Sequence, residues 1–253
     1  MLRPRIIPCL LYHKNGLYKT LNFGAGKYIG DPYNAVRIFN EKLVDELIFI
    51  DIDATAAGNA PNYELIRNLA KECRMPLCYS GGVKTVDQVE DIIGLGVEKV
   101  AISSAAVDRP DLIRESALRV GSQSVVVAID VRSRESSGAV IYEVFTHNGT
   151  KSTGLGAIEF AKIAQDMGAG EILVNSIDRD GTMQGYDIEL VDSIKSVLSV
   201  PMTVLGGAGS ITDIKMLIKR HGLIGAGAGS LFVFKGRFKA VLLQYVDDSD
   251  RVG

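Results

Sequence analysis

The stretch ELIFIDID, residues 46–53, decides the fold because the chain repeats it. A matching stretch, EILVNSID, begins at Glu171, which lies 125 residues after Glu46. The same offset relates two further sets of residues, which are Pro76, Gly81 and Gly82 in the first half and Pro201, Gly206 and Gly207 in the second. A constant offset over several motifs indicates two halves that share one structural pattern.

Short apolar runs of the kind that form buried strands alternate with helix-length segments along the chain. The runs are RIIPCL, ELIFIDI, PLCYSGG, KVAISS, SVVVAID, EILVNS, PMTVLGG and LIGAGAG. Such alternation is typical of parallel βα units. We therefore predict a (β/α)₈ TIM barrel with a two-fold internal repeat, as a single domain over residues 1–253. A doubly wound open sheet is the alternative, but it would not require the repeat.

The composition limits the classes of function. With 28 basic and 30 acidic residues the net charge is −2, which gives no reason to expect a nucleic-acid or membrane partner. No segment predicts a membrane span or a secretory leader, so we expect a cytoplasmic protein. No metal or cofactor is expected, and no role is assigned to the histidines His13, His147 and His221. Reduced core residues are predicted at Cys9, Cys73 and Cys78.

Two insertions follow predicted strands. Residues 12–30 form a basic loop with four glycines and no acid. We expect its Lys19 to fold over a phosphate, with a solvated lysine on a mobile surface loop as the alternative. Residues 138–153, GAVIYEVFTHNGTKST, predict a hairpin that turns at Asn148 and Gly149.

Glycine and serine residues follow four predicted strands, where a barrel carries its chemistry. Backbone N–H groups at helix N-termini attract anions, and glycine lets a phosphate approach them. The residues are Gly81, Gly82, Ser103 and Ser104 in one half, and Gly206, Gly207, Gly229 and Ser230 in the other. The duplication predicts two phosphate sites across one mouth, and thus a phosphorylated small molecule with phosphate at both ends. Each Gly-Gly pair alone is equally well explained as a tight turn.

The ends of two further strands differ in chemistry. The run VVVAID places Asp130 at the end of its strand, whereas RIIPCLLYHKNG, residues 5–16, places Leu10 and Leu11 at the matching point. A carboxylate can transfer protons and a hydrocarbon cannot. This difference limits the acid–base chemistry available to the mouth.

Several of these stretches together resemble the cyclase subunit of imidazole glycerol-phosphate synthase over essentially the whole chain. They are RIIPCL, FIDIDAT, SGGV, VVVAID, GAGEILVNSIDRDGTMQGYD and LGGAG, of which SIDRDGT with the following GYD is the most specific. The resemblance implies a (β/α)₈ barrel that receives ammonia from a class I glutaminase at its N-terminal face. In that family the ammonia attacks a bisphosphorylated nucleotide intermediate and yields imidazole glycerol phosphate and an aminoimidazole ribonucleotide.

The resemblance assigns acid–base work to two aspartates at strand ends. Asp130 matches one of them, and the other would occupy position 11, where this chain has Leu11. Asp180 is our second catalytic candidate, and Asp51 or Asp53 are further neighbours that could replace the missing acid. Other departures from the family pattern are Thr20, the turn YSGG, Asp53 and Asn175.

The resemblance also implies a charged gate for ammonia at the opposite end of the barrel. The matching residues are Arg5, Glu46, Lys99 and Glu171. From the residues alone, two positive and two negative side chains at strand starts are more typical of a stabilising cluster on the barrel floor, and only the resemblance favours a gate for ammonia.

Three functions are compatible with these residues. The stretch KYIGDPYNAVRIFNEKLVDEL, residues 27–47, favours a divergent subgroup associated with glycosyl amidation. Members of that subgroup would supply ammonia to a separate ATP-dependent amidotransferase that forms acetamidino groups on a surface-polysaccharide sugar, with little cyclase activity because Leu11 replaces the acid. The second is an active imidazole glycerol-phosphate synthase cyclase in histidine biosynthesis. The third is a related sugar-isomerising barrel, which would not need the charged gate.

Overall fold

A computed structural model describes residues 3–136 and 138–247 of the chain. The strands are β1 (Arg5–His13), β2 (Gly16–Lys19), β3 (Lys27–Gly30), β4 (Leu47–Asp51), β5 (Leu77–Ser80), β6 (Lys99–Ile102), β7 (Val125–Ser136), β8 (Ala139–Thr146), β9 (Lys151–Gly156), β10 (Glu171–Ser176), β11 (Met202–Leu205), β12 (Gly225–Ala228), β13 (Phe234–Lys235) and β14 (Ala240–Val241). The helices are α1 (Pro32–Glu41), α2 (Ile52–Ala56), α3 (Tyr63–Glu72), α4 (Val86–Gly94), α5 (Ser104–Asp108), α6 (Asp111–Val120), α7 (Ala157–Asp166), α8 (Ile188–Lys195) and α9 (Ile211–His221).

Eight parallel strands close into a barrel, which confirms the predicted fold. Around the ring the order is β1, β4, β5, β6, β7, β10, β11 and β12. The ring closes where β12 pairs with β1, with Arg5 opposite Gly225. The two halves of the repeat meet at this closure and where β6 pairs with β7, with Val100 opposite Val125.

Alternate residues of each barrel strand face two separate apolar layers, because successive side chains of a strand point to opposite sides. Residues such as Leu47 and Phe49 belong to the larger layer, which lies between the strands and the helices. Residues of the other parity, such as Ile48, Cys9 and Cys78, form a second buried cluster inside the barrel. Both of these cysteines are free, as predicted.

Local capping signals set the beginnings of the helices. Asn34 N donates to the Asp31 side chain at 2.9 Å, and Pro32 is the first residue of α1. Thr85 and Gln88 form a capping box at the start of α4. Within the described part of the chain, every helix falls short of the length and apolarity needed to cross a membrane.

Two antiparallel excursions extend β1 and β7 beyond the barrel. The predicted hairpin of β8 and β9 is confirmed, with its turn at residues 147–150. The predicted loop at residues 12–30 is only partly a loop, because β2 pairs with both β1 and β3. Lys14 and Asn15 form the tight turn, with φ of 46° and 61°. This excursion places residues of β2 and β3 beyond the carboxyl end of β1, at the mouth of the barrel.

Candidate functional site

The carboxyl ends of the barrel strands surround a cavity of about 760 Å³. In barrels of this class the loops at this end carry the ligand-binding residues. All the residues predicted for phosphate binding or acid–base work line it, namely Lys19, Gly81, Gly82, Ser103, Ser104, Asp130, Asp180, Gly206, Gly207, Gly229 and Ser230. The fold therefore brings both halves of the repeat to one mouth of a size that suits a small-molecule ligand.

Asp130 lies within β7 and faces the cavity. Asn175 Nδ2 donates to Asp130 Oδ1 at 3.1 Å across the β7–β10 pair. Burial, with a smaller contribution from the negative charge of Asp180, raises the pKa of Asp130 to about 6 against the hydrogen bond from Asn175. A carboxyl group with this pKa can take up and release a proton near neutral pH.

Asp180 follows β10 and holds the end of the first excursion. The Thr20 hydroxyl donates to Asp180 Oδ2 at 2.6 Å, and Phe23 N donates to the same oxygen at 3.3 Å. Burial raises the pKa of Asp180, while these hydrogen bonds and the charge of Lys19 act in the opposite direction. Asp180 thus has a structural task in addition to its position in the cavity wall.

Lys19 lies at the end of β2 with only 6% of its surface exposed. Its Nζ donates to the backbone carbonyl of Cys9. A Cβ atom at Gly229 would lie 2.7 Å from Lys19 Nζ, so the ammonium group lies against one of the predicted phosphate sites. The alternative of a solvated lysine on a mobile loop is wrong, because pairing of β2 with β1 buries the side chain.

The paired glycines are required by the backbone of the barrel. Gly81 and Gly206 have φ of 130° and 94°, and a Cβ at either position would lie 2.5 Å or 2.6 Å from a carbonyl oxygen. Those carbonyls belong to Asp51 and Ser176, which are themselves 125 residues apart. The tight-turn explanation of these glycines therefore holds, and the same turns expose backbone to the cavity.

The first-strand side of the mouth is apolar. Leu11 of β1 pairs in register with Ile50 of β4, and both line the cavity. Both also pack against the cluster inside the barrel, which contains Cys9 and Leu205. The mouth thus has a polar side at Asp130 and Asn175 and an apolar side at Leu11 and Ile50.

Sequence reasoning placed His13 in a loop and missed its contact with Asp53. His13 ends β1, and its Nδ1 lies 2.6 Å from Asp53 Oδ1 in the first turn of α2. Lys14 N donates to the other carboxylate oxygen at 2.8 Å. The available signal was the strand period, because His13 follows Leu11 by two residues and so faces the same side of β1.

The opposite end of the barrel holds the four predicted floor residues together. Lys99 Nζ lies 2.9 Å from Glu46 Oε1 and 2.8 Å from Glu171 Oε2. Arg5 pairs with Glu46 and, at 2.7 Å, with Glu171 Oε1. Thr203 Oγ1 also donates to Glu171, at 2.6 Å. These four charged side chains, which we call the floor ring, form a closed set of ion pairs at the strand starts.

The floor ring perturbs the titration of Glu171. Burial alone would raise the pKa of Glu171, but the Arg5 guanidinium and the Lys99 ammonium outweigh it and lower the pKa to about 2. Both Glu46 and Glu171 are buried, with 3% and 6% exposed. Glu171 therefore stays charged at physiological pH, and two basic and two acidic side chains give the ring a net charge near zero.

The fold and the site define a (β/α)₈ barrel protein with a polar small-molecule mouth at one end and a ring of ion pairs at the other. The sequence profile of the family described as "Histidine biosynthesis protein" matches residues 5–239. The chain belongs to this family, and within it to the HisF barrels.

Three relatives show where the chain lies within the family. It is 56% identical to a Leptospira borgpetersenii protein with the provisional name imidazole glycerol phosphate synthase subunit HisF, over 99% of this chain and 98% of the relative. It is 53% identical to a Vibrio vulnificus protein provisionally named subunit hisF3, over 99% and 96%. Identity to the imidazole glycerol phosphate synthase subunit HisF of Hyphomonas neptunium is 42%, over 92% and 91%. The chain is thus more similar to provisionally named and numbered relatives, which indicates a divergent branch.

Proposed function

We propose that this protein is the barrel subunit of a glutamine-dependent amidotransferase, and that it receives ammonia at the floor ring and releases it at the mouth. The observation that carries the proposal is the contrast between the two ends of the barrel. The floor ring is complete, whereas the mouth has Leu11 where cyclisation would require a second acid.

The interior between the two ends suits a small neutral molecule. Above the floor ring the barrel interior is lined by apolar side chains, including Ile7, Cys78 and Leu173. An apolar interior disfavours ammonium and hydrated ions, because a buried charge without a partner is costly. Ammonia has no net charge and is small enough to pass along mobile side chains. Its source would be a class I glutaminase, homologous to HisH, bound at the N-terminal face.

The mouth supports a phosphorylated acceptor. It combines the buried Lys19 ammonium group with backbone turns at four strand ends. Asp130 remains as an acid or base on one side. We further propose that the ammonia is passed on to an ATP-dependent amidotransferase that modifies a surface-polysaccharide sugar.

An active imidazole glycerol-phosphate synthase cyclase is the second candidate. It is favoured by the 42% identity to a protein that carries this name and by the presence of both Asp130 and Asp180 in the cavity wall. It requires another group to perform the work of the acid at position 11. Asp53 is not free for this work, because both of its carboxylate oxygens accept hydrogen bonds or ion pairs from residues 13 and 14.

The test of the proposal is complex formation with a class I glutaminase subunit. We expect the two proteins to co-elute in gel filtration and the glutaminase to hydrolyse glutamine faster in the complex. Arg3→Glu should weaken the complex, because it reverses an exposed charge at the floor end of the barrel. Arg3 pairs there with Asp45 at 2.8 Å, just before β4. The matched control, Lys84→Glu, reverses a charge at the mouth and should leave the complex intact. Separate elution of the parent proteins would contradict the proposal.

A further inference from the structure

His13 and Asp53 form an imidazole–carboxylate pair in the wall of the mouth. Nδ1 of His13 lies 2.6 Å from Asp53 Oδ1, and both residues line the cavity. Asp53 is held in turn by Lys14 N, which donates to Oδ2 at 2.8 Å. The carboxylate is therefore fixed by the turn after β1 and presents its second oxygen to the imidazole.

Comparison of the two halves of the repeat shows which part of the His13–Asp53 arrangement is structural and which part is found in the first half alone. Asp178, which lies 125 residues after Asp53, accepts from Ser133 N at 2.7 Å in the equivalent excursion. Its second oxygen lies 3.8 Å from Arg132 Nε. An acid that clamps the excursion is thus common to both halves. What differs is the side chain beside it, which is an arginine packed over Phe145 in one half and a histidine in the cavity wall in the other.

The geometry fixes the orientation of the imidazole. The ring of Tyr18 packs edge-on against His13, with centroids 4.8 Å apart and an interplanar angle of 83°. Because a carboxylate accepts hydrogen bonds, the proton of a neutral His13 resides on Nδ1. Among the described residues nothing hydrogen-bonds Nε2, which is left as a proton acceptor, or as a donor when the ring is charged.

We propose that His13 is an acid–base residue of the mouth on the side where Leu11 has removed the carboxylate, and that Asp53 is its positioning residue. This inference rests on the proposed function, since it needs ammonia and an acceptor with a carbonyl group in the mouth. The ammonia lone pair forms an N–C bond while the C=O π pair moves to oxygen. His13 Nε2 takes one proton from the added nitrogen and returns it to that oxygen, giving a neutral carbinolamine.

Four charged or titratable groups surround His13 among the residues that the structure describes. Asp53 and the buried Asp51 approach from the start of α2, Tyr18 from β2, and Lys14 follows in the chain. Burial raises the pKa of Asp51, although two backbone N–H groups bind its carboxylate as the N-cap of α2. Asp53 is the acid in contact with the ring, so the orientation of His13 should depend on it.

The first part of the experiment needs no substrate. The imidazole nitrogens of the three histidines can be followed by ¹⁵N NMR in the whole protein, with His13→Gln to assign the His13 signals. We expect a protonated Nδ1 and a bare Nε2 at high pH. Asp53→Asn should mix the tautomers and Asp53→Glu should restore the parent pattern. A proton on Nε2 of the parent protein would overturn the proposal.

The second part measures ammonium-dependent turnover of the bisphosphorylated histidine-pathway intermediate as the probe. General acid–base groups contribute about 10²–10⁴-fold, so we expect His13→Gln to lower the residual kcat by at least about 100-fold, to flatten its pH profile and to leave KM within about 2-fold. The control His221→Gln, in α9 beside Asp192, should change neither constant.

The outcomes separate this inference from the proposed function. Equal turnover by His13→Gln and the parent would overturn the role of His13. Absence of turnover by the parent, while Leu11→Asp is active, would also overturn the acid–base role of His13. That result would leave the proposed delivery of ammonia unaffected. Failure of the proposed function is seen independently, as loss of the complex with the glutaminase.

Discussion

At the scale of single residues, the two sides of the mouth differ because one strand ends in an acid and the other in a hydrocarbon. Asp130 has a raised pKa and an amide partner in Asn175. Leu11 packs on Ile50 and the interior cluster, where it adds apolar contact. The sequence alone could reveal the substitution and the position of His13 two residues further on, but the contact between His13 and the Asp53 carboxylate is a tertiary one.

Asp130→Asn should stabilise the fold at high pH. The folded-state pKa of about 6 lies above the ordinary value of 3.8, so stability from this group is present below pH 3.8 and is lost as pH rises through 6. Asparagine does not ionise, so the variant does not lose this stability as the pH rises. We expect the variant to gain on the order of 1–2 kcal/mol relative to the parent at pH 8, and less at pH 4.5, after discounting for partial solvent access.

Urea unfolding at the two pH values measures this difference. Asp87→Asn, an exposed carboxyl at 84% side-chain exposure, is the control and should change the free energy of unfolding little at either pH. A pH-independent effect of Asp130→Asn would mean that its carboxyl does not bind its proton more tightly in the folded state.

At the scale of elements, the barrel strands and the helix starts could be predicted from the sequence, while the first excursion could not. The apolar runs are local signals, and the structure confirms the strands they predicted; the Asp31 and Thr85 caps at helix starts are local in the same way. The pairing of β2 with β1 is a tertiary event, and it decides whether Lys19 is buried. A hairpin signal was present in Asn15-Gly16, but the glycines and three lysines of the stretch were interpreted as a basic loop.

The floor ring should be a strong stabilising element only when it is complete. Glu171→Gln leaves Arg5 and Lys99 with one acid between them, and breaking a buried ion pair costs about 3–5 kcal/mol. Adding Lys99→Met removes the excess positive charge and should restore part of the lost free energy. Chemical unfolding of the parent, both single variants and the double variant measures this as a cycle.

The pH dependence of the same variants has a definite sign. The pKa of Glu171 is lowered to about 2, so its contribution is present above the ordinary value of 4.5 and is lost as pH falls towards 2. Glu171→Gln should therefore lose less stability than the parent between pH 5 and pH 2. Parallel curves for the two proteins would contradict a charged Glu171 in the ring.

At the scale of the whole molecule, the barrel connects a charged floor to a polar mouth through an apolar interior. The repeat explains the paired glycine turns, and its imperfections, Leu11 and His13, mark where the two halves have diverged. The residues of the mouth set the acceptor, because function depends on the site and not on the fold.

Lys99→Met should uncouple glutamine use from the mouth. Lys99 contacts both acids of the floor ring, so its loss should disturb the entrance without touching the cavity. In a Leu11→Asp background with the glutaminase bound, we expect glutamine-driven turnover of the bisphosphorylated intermediate to fall while ammonium-driven turnover remains. Lys99→Arg, which keeps the charge, is the control. An equal fall in both rates would instead indicate general damage to the barrel.

The central claim is that Leu11 separates ammonia handling from cyclisation. The most direct measurement is turnover of the bisphosphorylated histidine-pathway intermediate by the purified protein with an ammonium salt, followed by ultraviolet absorbance, for the parent and for Leu11→Asp. We predict that the parent turns over at least about 100-fold more slowly than the variant, the lower bound for a lost acid–base group. Rapid turnover by the parent, with no gain in Leu11→Asp, would show an ordinary cyclase and contradict the account.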